Sequence, residues 1–257
     1  MDISAGPYRA FEVTGQSKAK SSDDVIFRGS LLLKVNHIGF GKNATTTSYA
    51  RGMGSLGGSY IAVNAAGLKV MNAVTGEFVA SGGGCDGVNV GNNGLIYTAV
   101  RGAKLIREYG FDANTETLTL LRTLSTQAPA SGGSDTIDVA AGDEYYYVAY
   151  YPGVVQQYRL SDGGWVNEWI DPGGGNIAHG ITIDPRTGNV VVRGTGGDVR
   201  WFDPDTLALL GQGPWDGYTT FLGFGPEDLL YSAGALTSGP SMSLGEIRVG
   251  TPGQDRW

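Results

Sequence analysis

Apolar residues in this chain come in short runs cut apart by turn residues. The clearest stretch is Ile177–Leu210, where GITI, NVVV, DVRWF and LALL are separated by DPRTGN, GTGG and DPDT. Each run is a few residues long and rich in β-branched or aromatic side chains, and each break is built from Gly, Pro, Asp, Asn and Thr. That pattern predicts four antiparallel strands joined by tight turns. A lone four-stranded sheet would leave both apolar faces wet, so it needs similar neighbours.

The rest of the chain supplies them. Candidate second strands centre on Ile26, Ile61, Ile96, Tyr147, Val191 and Leu230, at spacings of 35, 35, 51, 44 and 39 residues, about 41 on average. Upstream of each lies a triplet that reads as a first strand: Phe11-Glu12-Val13, Met53-Gly54-Ser55, Val88-Asn89-Val90, Ile137-Asp138-Val139, Ile181-Thr182-Ile183 and Leu222-Gly223-Phe224. Downstream, the third and fourth strands meet at a recurring turn, in NAVTGEFVA from Asn72, FDANTETLTLL from Phe111, LSDGGWVNEW from Leu160 and FDPDTLALL from Phe202. Asp or Asn there can bond its own following backbone. No window has sustained helical periodicity with caps. The expected fold is all-β: one β-propeller domain over 1–257 with four-stranded antiparallel blades. Six blades are expected, or five plus an N-terminal arm. Residues 1–48 form the first blade or the arm, 49–250 five clear repeats, and 251–257 a tail. Leu31–Ile38 and Gly245–Gly250 read as third strands, and strands from both ends are expected to share one blade.

Composition narrows the function classes. Charged residues make up 17% of the chain and the formal charge is −7, with no basic run. Binding to nucleic acid or anionic membrane rests on clustered Lys and Arg, so neither is expected. No apolar stretch is long enough to insert in a membrane as a helix. Cys85 is the one cysteine, so the core must hold by packing without an internal disulfide. The start MDISAGPYRAFEV lacks the basic residues and apolar run of a secretory signal. The expectation is synthesis in the cytoplasm without a signal peptide.

His179–Val192, HGITIDPRTGNVVV, resembles an NHL-type blade opening, and the D-x-x-T-G-like turns resemble those of YVTN and quinoprotein repeats. The resemblance implies fold and leaves activity open, because propellers host unrelated functions.

Candidate chemistry follows from the first strands, which line a propeller's channel. Two residues before each first-strand apolar position lie Arg9, Arg51, Asp86, Asp135, His179 and Thr220. These six would ring one mouth, either as a polar ligand site or as a solvated rim. In mid-strand, Glu12, Asn89 and Asp138, with Thr182, could offer oxygen ligands to Ca²⁺ or Mg²⁺. This set is similar to that of gluconolactonase-type propellers, whose channel metal activates water on a lactone, although their E-G-P-x-W opening is absent. Gly54 and Gly223 occupy two further positions and weaken the cage. His37, His179 and Cys85 are too few for an N/S zinc site, and no G-x-S-x-G elbow supports serine catalysis. The runs Gly82–Gly84 and Gly173–Gly175 each feed a strand, so they read as loops, not phosphate cradles. Tyr150 and Tyr151, beside Pro152-Gly153, are the candidates for an exposed binding surface. Trp165, Trp169, Trp201 and Trp215 read as inter-blade core.

No catalytic constellation survives, and no resident cofactor is expected beyond a candidate channel Ca²⁺ or Mg²⁺. The expected function is a non-enzymatic structural propeller that joins other proteins in a larger assembly. A cysteine-poor all-β chain of this kind suits a virion component: phage tail, fibre or capsid-associated. The alternatives are a metal-dependent lactone or ester hydrolase using Glu12, Asn89 and Asp138, and a glycan-binding lectin.

Overall fold

The computed structural model describes residues 13–14, 18–19, 28–29, 52–57, 59–132, 135–172, 178–194, 198–214, 221–224, 230–233 and 248–250. Near the start, β1 (Val13–Thr14) and β2 (Lys18–Ala19) form a small hairpin, and β3 (Arg28–Gly29) follows. Four antiparallel sheets follow, each of four strands consecutive in sequence. The first blade is β4 (Met53–Ser55), β5 (Tyr60–Asn64), β6 (Leu68–Asn72) and β7 (Phe78–Ser81). The second is β8 (Gly87–Val90), β9 (Ile96–Val100), β10 (Leu105–Asp112) and β11 (Thr117–Ser125). The third is β12 (Asp135–Ala141), β13 (Tyr145–Tyr151), β14 (Val154–Arg159) and β15 (Trp165–Ile170). The fourth is β16 (Ala178–Ile183), β17 (Val190–Gly194), β18 (Asp198–Phe202) and β19 (Leu209–Pro214). Last come β20 (Phe221–Phe224), β21 (Leu230–Ala233) and β22 (Arg248–Gly250). The arrangement is propeller-like: β4 contacts β8, β8 contacts β12, β12 contacts β16 and β16 contacts β20.

Four blades are present among the described residues, not the six, or five plus an arm, that the repeat spacing predicts. The count falls because the first and last candidate repeats do not build separate blades. β3, just past Ile26, pairs with β20 through Gly223↔Gly29 and Phe224↔Arg28. That gives a further four-stranded sheet, β22-β21-β20-β3, drawn from both ends of the chain. β3 also contacts β4, so the circuit of strand contacts returns to the first blade. The third strand expected over Gly245–Gly250 is β22, whereas Leu31–Ile38 lies outside the described residues. The long 51-residue spacing between Ile96 and Tyr147 is explained by the eight- and nine-residue strands β10 and β11 and the loop that follows them.

Period-2 alternation decides what each blade buries, and on which side. On β13, Tyr146, Val148 and Tyr150 enter a cluster with Tyr97, Ala99 and Ile106 of the second blade. Tyr147 and Ala149, on the opposite face, pack with Ile181, Val190, Val192 and Phe202 of the fourth. Ala62, Leu68 and Val70 meet Val88 and Ile96 between the first and second blades, and Val191 and Val199 meet Leu222 beyond the fourth. Both faces of each inner blade are therefore dry. At roughly 1.5–3 kcal/mol per large apolar side chain removed from water, these contacts are what hold the sheets together.

The recurring turn between third and fourth strands has a shared mechanism. Asn72 Oδ1 accepts from the N–H groups of Val74 (2.9 Å) and Thr75 (3.2 Å). Asp203 Oδ1 accepts from Asp205 N (3.0 Å), Thr206 N (2.8 Å) and Thr206 Oγ1 (2.8 Å). Asp112 Oδ1 accepts from Asn114 N (2.9 Å), and Asp162 Oδ1 from Gly164 N (2.8 Å). The chain then reverses through a left-handed residue, at Gly76 (φ 76), Glu116 (φ 52), Gly163 (φ 73) and Leu207 (φ 56). Only two of these four are the glycines that such a conformation favours. In the other two turns the Asx bonds hold the reversal without one.

Candidate functional site

The inner strands of neighbouring blades approach one another closely. A Cβ on Gly52 would lie 2.4 Å from Val88 O, and one on Gly54 would lie 2.7 Å from Val90 N. A Cβ on Gly87 would lie 2.3 Å from Asp138 Oδ1 and 2.7 Å from Asp138 Cα. Gly54, which in sequence looks like a gap in a ligand cage, is thus a place where β4 and β8 touch backbone to backbone. Glycine is what permits that approach.

Asp138, 2% exposed, links three blades. Its side chain lies against Gly87 of β8, its Oδ2 accepts from Ile181 N of β16 at 3.2 Å, and its Oδ1 accepts from Val139 N at 2.9 Å. The innermost strand of a blade has N–H groups that face away from its own sheet, and a buried one needs an acceptor. Asp138 supplies it from the neighbouring blade. Between the first two blades, Asn64 does the same for carbonyls, donating from Nδ2 to Cys85 O (3.1 Å) and Asp86 O (2.6 Å). Of the expected metal set, Asn89 and Asp138 lie on adjacent inner strands and are buried, while Glu12 lies outside the described residues. Among the described residues no three His, Cys, Asp or Glu side chains gather to hold a metal ion. Both Asp138 oxygens accept from backbone N–H groups, one of them in the neighbouring blade, so this residue acts as an inter-blade clasp.

Of the expected rim, Asp86 precedes β8, Asp135 opens β12 and His179 lies on β16, all at the same end of the inner strands. Arg9, Arg51 and Thr220 lie outside the described residues. Asp135 is engaged sideways: Oδ2 accepts from Arg101 Nε at 3.0 Å and Nη2 at 2.9 Å, an ion pair joining the second and third blades.

Tyr150 is corrected. It is fully buried, because β13 is an interior strand and position 150 shares the face of Tyr146 and Val148. Its neighbour Tyr151 points the other way and is 44% exposed. Burial pushes the hydroxyl of Tyr97 up to about 12 and raises those of Tyr146, Tyr147, Tyr150 and Tyr158. None of these phenols is poised for proton transfer near neutral pH. Trp169 and Trp201 meet the core expectation. Trp169 packs edge-on to Phe202 with centroids 4.9 Å apart, and Trp201 lies against the Val191–Leu222 cluster. Trp165 does not; it is 43% exposed on the outermost strand of its blade. Trp215 lies outside the described residues. Burial pushes the Cys85 thiol up to about 12, far from the range of a reactive thiolate.

Sequence reasoning missed the outer strands. In each blade the fourth strand carries a β-bulge against the third, and the residue skipped by the register is Val79, Leu121, Val166 or Leu210. Each follows another apolar residue: Phe78, Leu120, Trp165 and Leu209. A bulge breaks strict alternation, so two successive side chains fall toward one side. Leu120, Leu121, Leu209 and Leu210 are 50%, 51%, 42% and 52% exposed. The signal in the sequence is an apolar doublet shortly after each Asx turn, where alternation calls for one polar residue.

The strand contacts and sheet order define the class as an all-β protein of propeller-like architecture. No protein-family model matches the chain, and no curated protein matches it as a relative.

Proposed function

We propose that this chain is a non-enzymatic structural propeller that works by protein–protein assembly, as a component of a virion. The observation that carries the assembly reading is the row of exposed apolar doublets on the outer strands, at Leu120–Leu121 and Leu209–Leu210 with Trp165 between them. Solvent-exposed apolar residues that recur at one structural position are a surface for contact, since packing inside the blade does not require them. The inner strands support the same reading, because the glycine approaches and the Asp138 clasp are contacts that join neighbouring blades. The particle setting rests on the chain's character: all-β, one cysteine, few charges, held by packing alone. The NHL- and YVTN-like repeat type is supported by the His179–Val192 opening and the Asx turns.

Mass spectrometry of purified particles, joined to native mass spectrometry of the isolated chain, tests this. Recovery at fixed stoichiometry in a particle or a defined complex is expected. A chain that stays monomeric at high concentration, enters no complex and hydrolyses lactones when Ca²⁺ is added would overturn the proposal in favour of the enzyme reading.

A further inference from the structure

One end of the molecule combines apolar and acidic groups. In a four-stranded meander the first and third turns lie at the same end of the sheet. Cross-blade bonds place those turns side by side around the molecule. Asn92 Nδ2 donates to Asp143 Oδ1 at 2.9 Å, Tyr60 OH to Glu116 Oε1 at 2.9 Å, and Asn167 Nδ2 to Thr206 O at 2.7 Å. Arg122, on β11, reaches the third blade's turn at Leu160 O and Ser161 O.

The charges at this end are mostly of one sign. Glu77, Asp112, Glu116, Asp143 and Asp205 are exposed there, and none makes an ion pair with a described residue. The two arginines of these turns are neutralised in place, Arg159 by Asp162 at 3.0 Å and Arg186 by Asp184 at 3.1 Å. The large apolar residues left exposed fall mostly in the same region. Val74, at a turn tip, is 79% exposed, and the bulge doublets begin within a few residues of the third turns. Arg122 does not guard its edge, because Glu108 holds it at 2.8 Å against the sheet.

We propose that this turn end, from the acidic turns to the bulge doublets Leu120–Leu121 and Leu209–Leu210, docks a basic, apolar segment of another protein. The partner presents Lys or Arg beside leucine-like side chains, so that its cations meet the turn carboxylates while its apolar groups cover the doublets. Charge complementarity selects a protein of this kind over nucleic acid or anionic lipid, which the acidic end repels. The inference deepens the assembly reading and rests on it.

The test uses the full chain and a short fluorescent peptide of alternating Lys and Leu, with Glu–Leu and Lys–Ser peptides as comparators. Anisotropy titration should show binding of the Lys–Leu peptide alone, weakened by added salt. The double variants L120S/L121S and L209S/L210S should bind it roughly tenfold more weakly, with unchanged circular-dichroism melting. Y151S, at the opposite end, should bind as the unaltered chain does. Should a double variant fail to fold, W165S takes its place. Equal binding of the Lys–Ser or Glu–Leu peptide overturns the proposal, as does undiminished binding by the doublet variants or equal loss in Y151S. Self-association that the doublet variants abolish would make a second copy the occupant, and binding to zwitterionic vesicles would make it a membrane. Either result also overturns it. Doublet variants that enter the native assembly normally would sink this docking face while leaving the assembly reading in place.

Discussion

Gly84 and Gly87 lie three residues apart on the approach to β8, yet the same substitution should act on them with opposite sign. A Cβ on Gly87 would lie 2.3 Å from Asp138 Oδ1, 2.7 Å from Asp138 Cα and 2.9 Å from Ile137 O. Two of those atoms are backbone of β12, which pairs with β13 on both sides of the bulge at Ile137, so they have little room to swing aside. Overpacking of this sort costs about 1–3 kcal/mol, and a backbone obstacle places G87A at the upper end, about 2–3 kcal/mol. For a chain of this size each kcal/mol lowers the melting temperature by about 2–4 °C, so the expected loss is roughly 4–12 °C. A Cβ on Gly84 would meet nothing within 4 Å, and its φ is not in the left-handed region. There, G84A removes freedom from the unfolded chain and should stabilise by about 0.4–1 kcal/mol. Thermal melts of both variants, followed by far-ultraviolet circular dichroism, read the difference directly. A G87A melting temperature within a degree of the unaltered chain would refute the close approach of β8 to β12. Equal losses in the two variants would refute the argument that position, and not glycine content, decides the outcome.

Three further outcomes follow from other contacts. R122A leaves the Glu108 carboxylate, 6% exposed, without its cation; stability should fall by about 3 kcal/mol, read as a lower urea midpoint. Asp112 and Asp203 are held below the ordinary 3.8, first by the backbone N–H groups of Asn114 and Thr206 respectively. A depressed carboxylate contributes stability that is present above its unfolded pKa and lost as pH falls through the folded value. The urea midpoint should therefore drop below about pH 4, and the drop should be shallower in D112N/D203N; an unchanged acid limb counts against these turn bonds. Cys85, with its thiol pushed up to about 12 by burial, should resist iodoacetamide at pH 8 in the folded chain and react fully in denaturant. Rapid labelling of the native protein would contradict that environment.

The local parts of this fold are legible in the sequence because they rest on neighbouring residues. Second-strand positions such as Ile61, Ile96, Tyr147, Val191 and Leu230 follow from the apolar runs, and Asn72, Asp112, Asp162 and Asp203 mark turns whose bonds span two or three residues. What crosses between blades is not legible in that way. Alternation separates Tyr150 from Tyr151 onto opposite faces, but it does not say that position 150 meets Tyr97 and Ile106 of another blade. The blade count fails for the same reason, since pairing of Gly29 with Gly223 joins segments about three quarters of the chain apart. The Asp138 clasp likewise needs Gly87 and Ile181, each more than forty residues away in sequence.

The bulges lie between these two cases, and they bear most on function. A bulge needs one extra residue and a backbone kink, and neither demands an apolar side chain. An edge strand is also where a soluble protein gains most from a charge or a proline. Yet Val79, Leu121, Val166 and Leu210 are apolar in all four blades, and in two of them both members of the doublet are exposed. β11 runs for nine residues with Arg122 as its one charge, and that charge is turned inward onto Glu108. Val79 and Val166 are partly buried, Val79 against the cluster between the first two blades, so the exposed leucine doublets of the second and fourth blades are the part that packing does not account for. Leucines kept where the edge would be safer with lysines are what the proposed docking of a partner would account for.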